Sequence, residues 1–293
     1  MDVGIALDRM AQLRRLDDSL GGADTFGLYL AEVEATEAVL SGATYTTDTR
    51  RTLLAVLAEQ AQLAGWAAFD AGWTDRSLRL YQTSRQAAVE AGDQALVANA
   101  LALDAYQRAF TGQVDVELAR ASCQALTARV PARVRALVFD RAAWSFAVAG
   151  LVAEAEEALS SAAGALDDAG APADPDWATW VDAQEIAIMT GRCWSALGRP
   201  LRAVPPLTSA LADFPEAYAR DKALYLLALA EAYLHGREIE LAAATITRAH
   251  RLTVGVSSTR PKARMAATLA LSAPFEGTPA MRELRDRLAV SPQ

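Results

Sequence analysis

The stretch GRCWSALGRPLRAVPPLTSALADFP, residues 191–215, decides the fold. It carries Trp194, a glycine four residues on (Gly198), a small residue five beyond that (Ala203), then Leu207, Ala210 and Pro215. This spacing describes a helical hairpin. One helix presents an aromatic residue, the next presents small residues that let it approach closely, and glycine makes the turn between them. Proline, which lacks an amide hydrogen, closes the second helix.

Working outward, glycines recur at the equivalent turn as Gly72, Gly112, Gly150, Gly198 and Gly236, in steps of 40, 38, 48 and 38 residues. A small residue follows as Ser77, Ala155, Ala203 and Ala242, then a larger one as Tyr81, Leu159 and Leu207. The segment 111–121 fits least, with its register off by one or two. A period slightly above ~34 residues points to tetratricopeptide-like units with somewhat longer helices. The expected fold class is therefore all-α: a right-handed superhelical solenoid of tetratricopeptide-like hairpins, with about fourteen helices and no strand.

The expected order is an N-terminal helical pair over 1–45, repeats over 46–255 and capping helices over 256–293, in one continuous solenoid. Val3, Leu7, Met10, Leu13, Leu16 and Leu20 share a face of a first helix over 2–20. A second helix runs from Ala23 to Leu40, capped by Asp24 or Thr25. The long step of 48 contains the polar insertion DDAGAPADPD, residues 167–176. Its end reads as a helix start, with Asp174 as N-cap, Pro175 in the first helical position and Asp176 at the positive end of the dipole. Closing helices are expected over 258–271 and 278–290.

Composition narrows the function classes. The chain has 293 residues, 52% of them hydrophobic, a net charge of −8 and only two lysines (Lys222, Lys262) among 28 basic residues. No basic stripe of the kind a nucleic-acid face needs is visible. Cys123 and Cys193 fall in different repeats and belong to no CxxC pair, so they read as small buried hydrophobes. His235 and His250 sit near helix ends, where a histidine suits the dipole. No HExxH, GxSxG, Walker or GxGxxG motif occurs. No cofactor, metal or enzymatic activity is expected. The N-terminus lacks the apolar region of a signal peptide, and no apolar run approaches the ~20 residues needed to span a bilayer. A soluble, cytoplasmic protein without membrane contact is expected.

In such a stack the first helix of each hairpin lines the concave face. Counting back from the turn, one inward column reads Trp66, Tyr106, Trp144, Arg192 and Glu231. Neighbouring inward positions are Glu59, Gln62 and Phe69, then Asn99, Asp140, Glu185, Ile188 and Leu227. Together they form the candidate ligand-binding groove, suited to an extended peptide, a partner helix or a flat organic ligand. Arg192 is placed to hold a carboxylate, and Glu185 or Glu231 an amine. The alternative is that these residues fill the inner layer of a tight superhelix, with Arg192 paired to Glu185 or Glu231. Trp177 and Trp180, in DPDWATW, either close one end of the groove or pack against the preceding hairpin. Asp174 and Asp176 lack a third ligand, and capping accounts for them better than a metal does.

Nearly the whole chain from Leu13 onward resembles a known family. The segments are LRRLDDSLGGAD (13–24), LAEQAQLAGWAAFDAG (57–72), ARVRALVFDRAAWSFAVAG (132–150), DPDWATWVDAQEIAIMTGRCWSALGRP (174–200) and ARDKALYLLALAEAYLHGREIELAA (219–243). They resemble the C-terminal helical-repeat region of actinobacterial helix-turn-helix transcriptional regulators of the xenobiotic-response-element type. The resemblance implies a regulatory sensor or interaction module that binds a small-molecule or peptide effector and forms a homodimer. It also implies that DNA is reached only through a head domain, absent from this chain, which is either a fragment or a stand-alone relative. The family carries no general ligand, so the groove residues rest on geometry alone. Two other functions stay open: a repeat scaffold for a protein partner without a small ligand, and a regulator-derived enzyme using groove carboxylates such as Asp140 or Glu185.

Overall fold

A computed structural model describes residues 9–14, 21–42, 44–168, 171–253 and 258–290. Among them all regular structure is helical, and no strand occurs. Residues 9–14 are helical and belong to α1; the rest of the helix expected over 2–20 lies outside the described residues. There follow α2 (Gly22–Gly42), α3 (Thr47–Asp70), α4 (Thr74–Ala91), α5 (Gln94–Phe110), α6 (Val116–Gln124), α7 (Ala132–Val148) and α8 (Val152–Leu166). After a single 3-10 turn at Asp176–Ala178 come α9 (Ala183–Ala196), α10 (Pro200–Ala212), α11 (Ala219–His235), α12 (Ile239–Thr253), α13 (Thr259–Ser272) and α14 (Pro279–Val290). The fourteen helices among the described residues pack in neighbouring pairs, as a helical solenoid requires.

Local chemistry explains the boundaries. Thr46, Asp93 and Asp115 accept hydrogen bonds from Thr49 N (3.2 Å), Leu96 N (3.0 Å) and Leu118 N (2.9 Å), capping α3, α5 and α6. The turns after α3, α5, α7 and α9 each need a left-handed residue, and Gly72, Gly112, Gly150 and Gly198 supply it, with φ from 63° to 83°. In the last hairpin Gly236 has φ −79°, and Arg237 takes the left-handed place at φ 60°.

The chain divides into two compact units, 1–183 and 184–293. In the first, α3/α4, α5/α6 and α7/α8 form hairpins, and the first helices α3, α5 and α7 are neighbours. The small-residue positions lie at the close approaches. Ser77 and Ala155 are fully buried, and a Cβ on Gly65 would come within 2.5 Å of the Tyr81 ring. α6 is displaced in register by two residues. Gln113 and Val114 lengthen the turn, so Ala119 rather than Glu117 becomes the buried small residue. Gly22 N donates to Asp70 Oδ2 (2.9 Å), tying α2 to the end of α3.

In the second unit the quoted stretch forms α9, the turn and α10. Ala203 and Leu207 are fully buried. A Cβ on Gly191 would stand 2.3 Å from Leu207 Cγ. Trp194 is buried, with the Arg202 guanidinium 3.5 Å from its ring centre. α11 and α12 form the next hairpin, and α13 and α14 follow, close to their expected spans.

The insertion departs from expectation. Asp174–Pro175–Asp176 does not start a long helix: one 3-10 turn forms, and α9 begins only at Ala183. Asp174 is instead engaged by Arg133, as described next. No described helix is long and apolar enough to cross a membrane.

Candidate binding site on the inner helices

In the first unit the aromatic column comes together. Trp66 and Phe69 project from α3, Tyr106 and Phe110 from α5, and Trp144 from α7. Trp66 stacks on Tyr106, with centroids 6.0 Å apart and planes at 28°. Tyr106 lies 6.3 Å from Trp144 and 6.5 Å from Phe110. Phe69 meets Phe110 edge-on at 5.4 Å. Tyr106 and Phe110 are four residues apart on one helix and so share a face. Tyr106 and Trp144 are 3% and 2% exposed, so the ladder is mainly an inner packing layer, while Trp66 is half-buried.

Arg141 converts this layer into a charged site. Its guanidinium lies 5.0 Å from the Tyr106 ring centre and 5.6 Å from that of Trp180. Asp140 Oδ2 accepts from its Nη1 at 2.7 Å. Both residues are buried. An arginine between two aromatic faces and beside a carboxylate is stabilised by the ring quadrupoles and the ion pair together. The inward column counts to Asp140 and Trp144 on α7 and passes over Arg141; an arginine directly after an inward aspartate in the middle of α7 was the available signal.

The segment 171–182 runs along these same inner helices. Asp174 Oδ1 accepts from Arg133 N (2.9 Å), and its Oδ2 lies 3.3 Å from Arg133 Nε. It thereby serves the amino end of α7, whose preceding residue, Pro131, offers no side-chain cap. Arg133 Nη1 donates to the carbonyls of Thr179 (2.6 Å) and Val181 (2.5 Å). Asp176 pairs with Arg14 of α1, which also pairs with Glu59 of α3. Trp177 packs against two apolar clusters, one built from α2 to α5 and one that includes Ala98, Ala102, Val134 and Val138 of α5 and α7. Trp180 is 49% exposed and covers Arg141; its Nε1 donates to Trp177 O (2.9 Å). Trp177 thus packs onto the preceding helices, whereas Trp180 caps the arginine.

Burial pushes the Glu59 carboxyl above its ordinary range; Arg14 opposes the shift, and the nearby Asp176 and Asp93 carboxylates add to it. Gln62 and Asn99 are held between helices. Gln62 Nε2 donates to Ser84 Oγ and Leu96 O, both at 3.0 Å, and Asn99 Nδ2 donates to Gln62 Oε1 at 2.7 Å. These bonds lock α3, α4 and α5 together.

In the second unit Ile188 and Leu227 are fully buried. Tyr225 Oη donates to Glu185 (3.3 Å), and the Arg192 guanidinium lies 5.9 Å from the Tyr225 ring centre. Glu231 of α11 accepts from Arg264 and from Thr268 Oγ1 (2.7 Å) on α13. Lys222, absent from the expected set, is 3% exposed and donates to Phe214 O at 2.6 Å. Glu185, Arg192 and Glu231 therefore all take part in packing between helices. A separate cleft of about 230 Å³ between α13 and α14 is lined by Leu269, Met281, Leu284 and Leu288 and contains none of the expected groove residues. Among the described residues no three metal-ligating side chains gather. No protein-family model matches the chain, and no curated protein matches it in sequence.

Proposed function

We propose that the chain is the sensing and interaction module of a transcriptional regulator. It takes a small-molecule or peptide effector on the inner helices of the first unit and pairs with a second copy of itself. The observation that carries this reading is Arg141, held between Tyr106 and Trp180 on an aromatic layer. A buried guanidinium with aromatic walls suits a ligand that brings a carboxylate or a flat ring, because both gain from partial removal from water. Trp180 is the exposed wall and the one such a ligand would replace. The regulatory part of the reading draws on the segments quoted from the sequence. Any DNA contact belongs to a head domain of the kind that family carries, since this chain has a net charge of −8.

Native mass spectrometry on the protein purified from its own cell tests the reading. A bound mass is expected, and Tyr106→Ala or Arg141→Ala should remove it while far-ultraviolet circular dichroism keeps its helical shape. A wild-type chain carrying no added mass, or a mass that survives both substitutions, overturns it.

A second reading, a scaffold for a protein partner, is favoured by Leu201 and Leu241. They stand 91% and 49% exposed near the starts of α10 and α12. Loss of a co-purifying protein on Leu201→Ser/Leu241→Ser, with no effect of Arg141→Ala, would select it.

A further inference from the structure

The polar insertion ends in a segment that is held as a bound peptide would be held. Asp176 gives a carboxylate to Arg14, Trp177 enters a gap between two apolar clusters, and Trp180 lies on Arg141. Arg133 grips two backbone carbonyls, those of Thr179 and Val181. The 3-10 turn and the bonds of Trp180 Nε1 to Trp177 O and of Thr179 Oγ1 to Asp176 O are internal to the segment; the other contacts are ones that a chain of the same chemistry in the same turn could make. The receiving side is built from three arginines on α1 and α7, against a segment whose charged residues, Asp174, Asp176 and Asp182, are all acidic. The connection is also unusually long. Sixteen residues join α8 to α9, against two between α4 and α5 and seven between α6 and α7. Asp176, Thr179 and Trp180 remain exposed, so the segment can be approached from solvent.

We propose that the inner face of the first unit is a track for an acidic–aromatic peptide folded as a single 3-10 turn, and that residues 174–180, Asp-Pro-Asp-Trp-Ala-Thr-Trp, occupy it as a built-in competitor. The partner is a segment of another protein that carries a carboxylate, an aromatic residue directly after it and a second aromatic three residues further on. The inference rests on the binding-module reading above and names its ligand class. The carboxylate reaches Arg14, the first aromatic enters between the two apolar clusters, and the second covers Arg141. The resident segment must leave for the partner to dock, so the apparent affinity is the intrinsic one reduced by the fraction of molecules with an open track.

The test uses a fluorescein-labelled peptide of residues 172–182, acetylated and amidated at its ends, titrated against the full chain by fluorescence anisotropy. Two variants loosen the resident segment while leaving the receiving face intact: Trp177→Ala/Trp180→Ala, and the milder Asp176→Asn/Trp180→Ala, which keeps the Trp177 packing. Each is expected to bind the peptide at least tenfold more tightly than wild type, and adding Arg14→Ala should weaken that binding at least tenfold. No gain in either variant, or binding indifferent to Arg14 or equalled by a scrambled peptide, overturns the proposal.

Should both variants fail to fold, hydrogen exchange on the wild-type chain carries the same test. Millimolar peptide should speed exchange at the Ala178, Thr179 and Val181 amides, which bond within the segment, and leave α5 protected. Unchanged exchange at those three amides overturns it. An Arg141-dependent small effector found by mass spectrometry, with no peptide binding to any variant, defeats the peptide track and leaves the module reading standing. Absence of both defeats the two together.

Discussion

Gly65 and Gly191 show how single residues set the distance between helices. Each faces a larger side chain across a hairpin, Tyr81 and Leu207 respectively, with no room for a methyl group. Adding one forces the partner off its rotamer or separates the helices. Gly65→Ala and Gly191→Ala should each lower stability by about 1–3 kcal/mol, read from the urea midpoint at unchanged slope; an unshifted midpoint would show that the helices separate without cost.

Glu59 gives a pH prediction. Its pKa is raised above 4.5 by burial, so the folded state holds the proton more tightly than the unfolded state does. Its contribution to stability is full below pH 4.5 and is lost as pH rises through the raised value. Asp104, also raised by burial from 3.8, acts with the same sign. Urea midpoints measured from pH 4 upward should therefore fall less in Glu59→Gln than in wild type. Parallel curves would mean that Arg14 fully offsets the burial.

The residue-scale packing was legible because it depends on spacing. Ser77, Ala155, Ala203 and Ala242 were expected at close approaches and are all fully buried. What Arg141 meets was not legible, because its second wall, Trp180, arrives from a segment 39 residues away in sequence.

Among the elements, the segment 171–182 separates what short-range rules can and cannot decide. Asp-Pro-Asp before an apolar stretch has every local mark of a helix start. Asp174 does act at a helix amino end, but that of α7, through Arg133 N. A carboxylate satisfies the unpaired amides of whichever helix start it reaches, and sequence order does not record which that is. Asp174→Ala should therefore destabilise α7 rather than α9, by about 1 kcal/mol. Hydrogen exchange at the first-turn amides of the two helices can tell them apart, and faster exchange confined to α9 would refute this assignment. α6 makes a similar point. It has nine residues, and Asp115 caps it two positions later than the repeat would place it. The period located the hairpin, and the cap fixed the register.

For the whole molecule, the repeat period implies one continuous solenoid, with turn glycines on both sides of Ala183. The contacts gather into two compact units, 1–183 and 184–293, and whether these unfold as one is a matter of cooperativity. Five of the six tryptophans (Trp66, Trp73, Trp144, Trp177 and Trp180) lie in the first unit and only Trp194 in the second. Tryptophan emission therefore reports mainly on the first unit, whereas helical ellipticity reports on both. If each unit is its own cooperative block, urea transitions followed by the two probes should not coincide. Superimposable curves would establish a single cooperative solenoid.

The sixteen residues between α8 and α9 carry one more consequence. A ligand tethered to its own receptor is present at a fixed effective concentration, roughly millimolar for a short flexible tether, however dilute the protein. The dose of outside peptide that half-occupies the track is then governed by tether length as much as by the fit of the track itself. Inserting residues at 172, between the arginine contacts of Asp168 and Asp174, would act as a dial: each lengthening dilutes the resident segment and lowers the dose needed, with no substitution of any residue that touches the ligand.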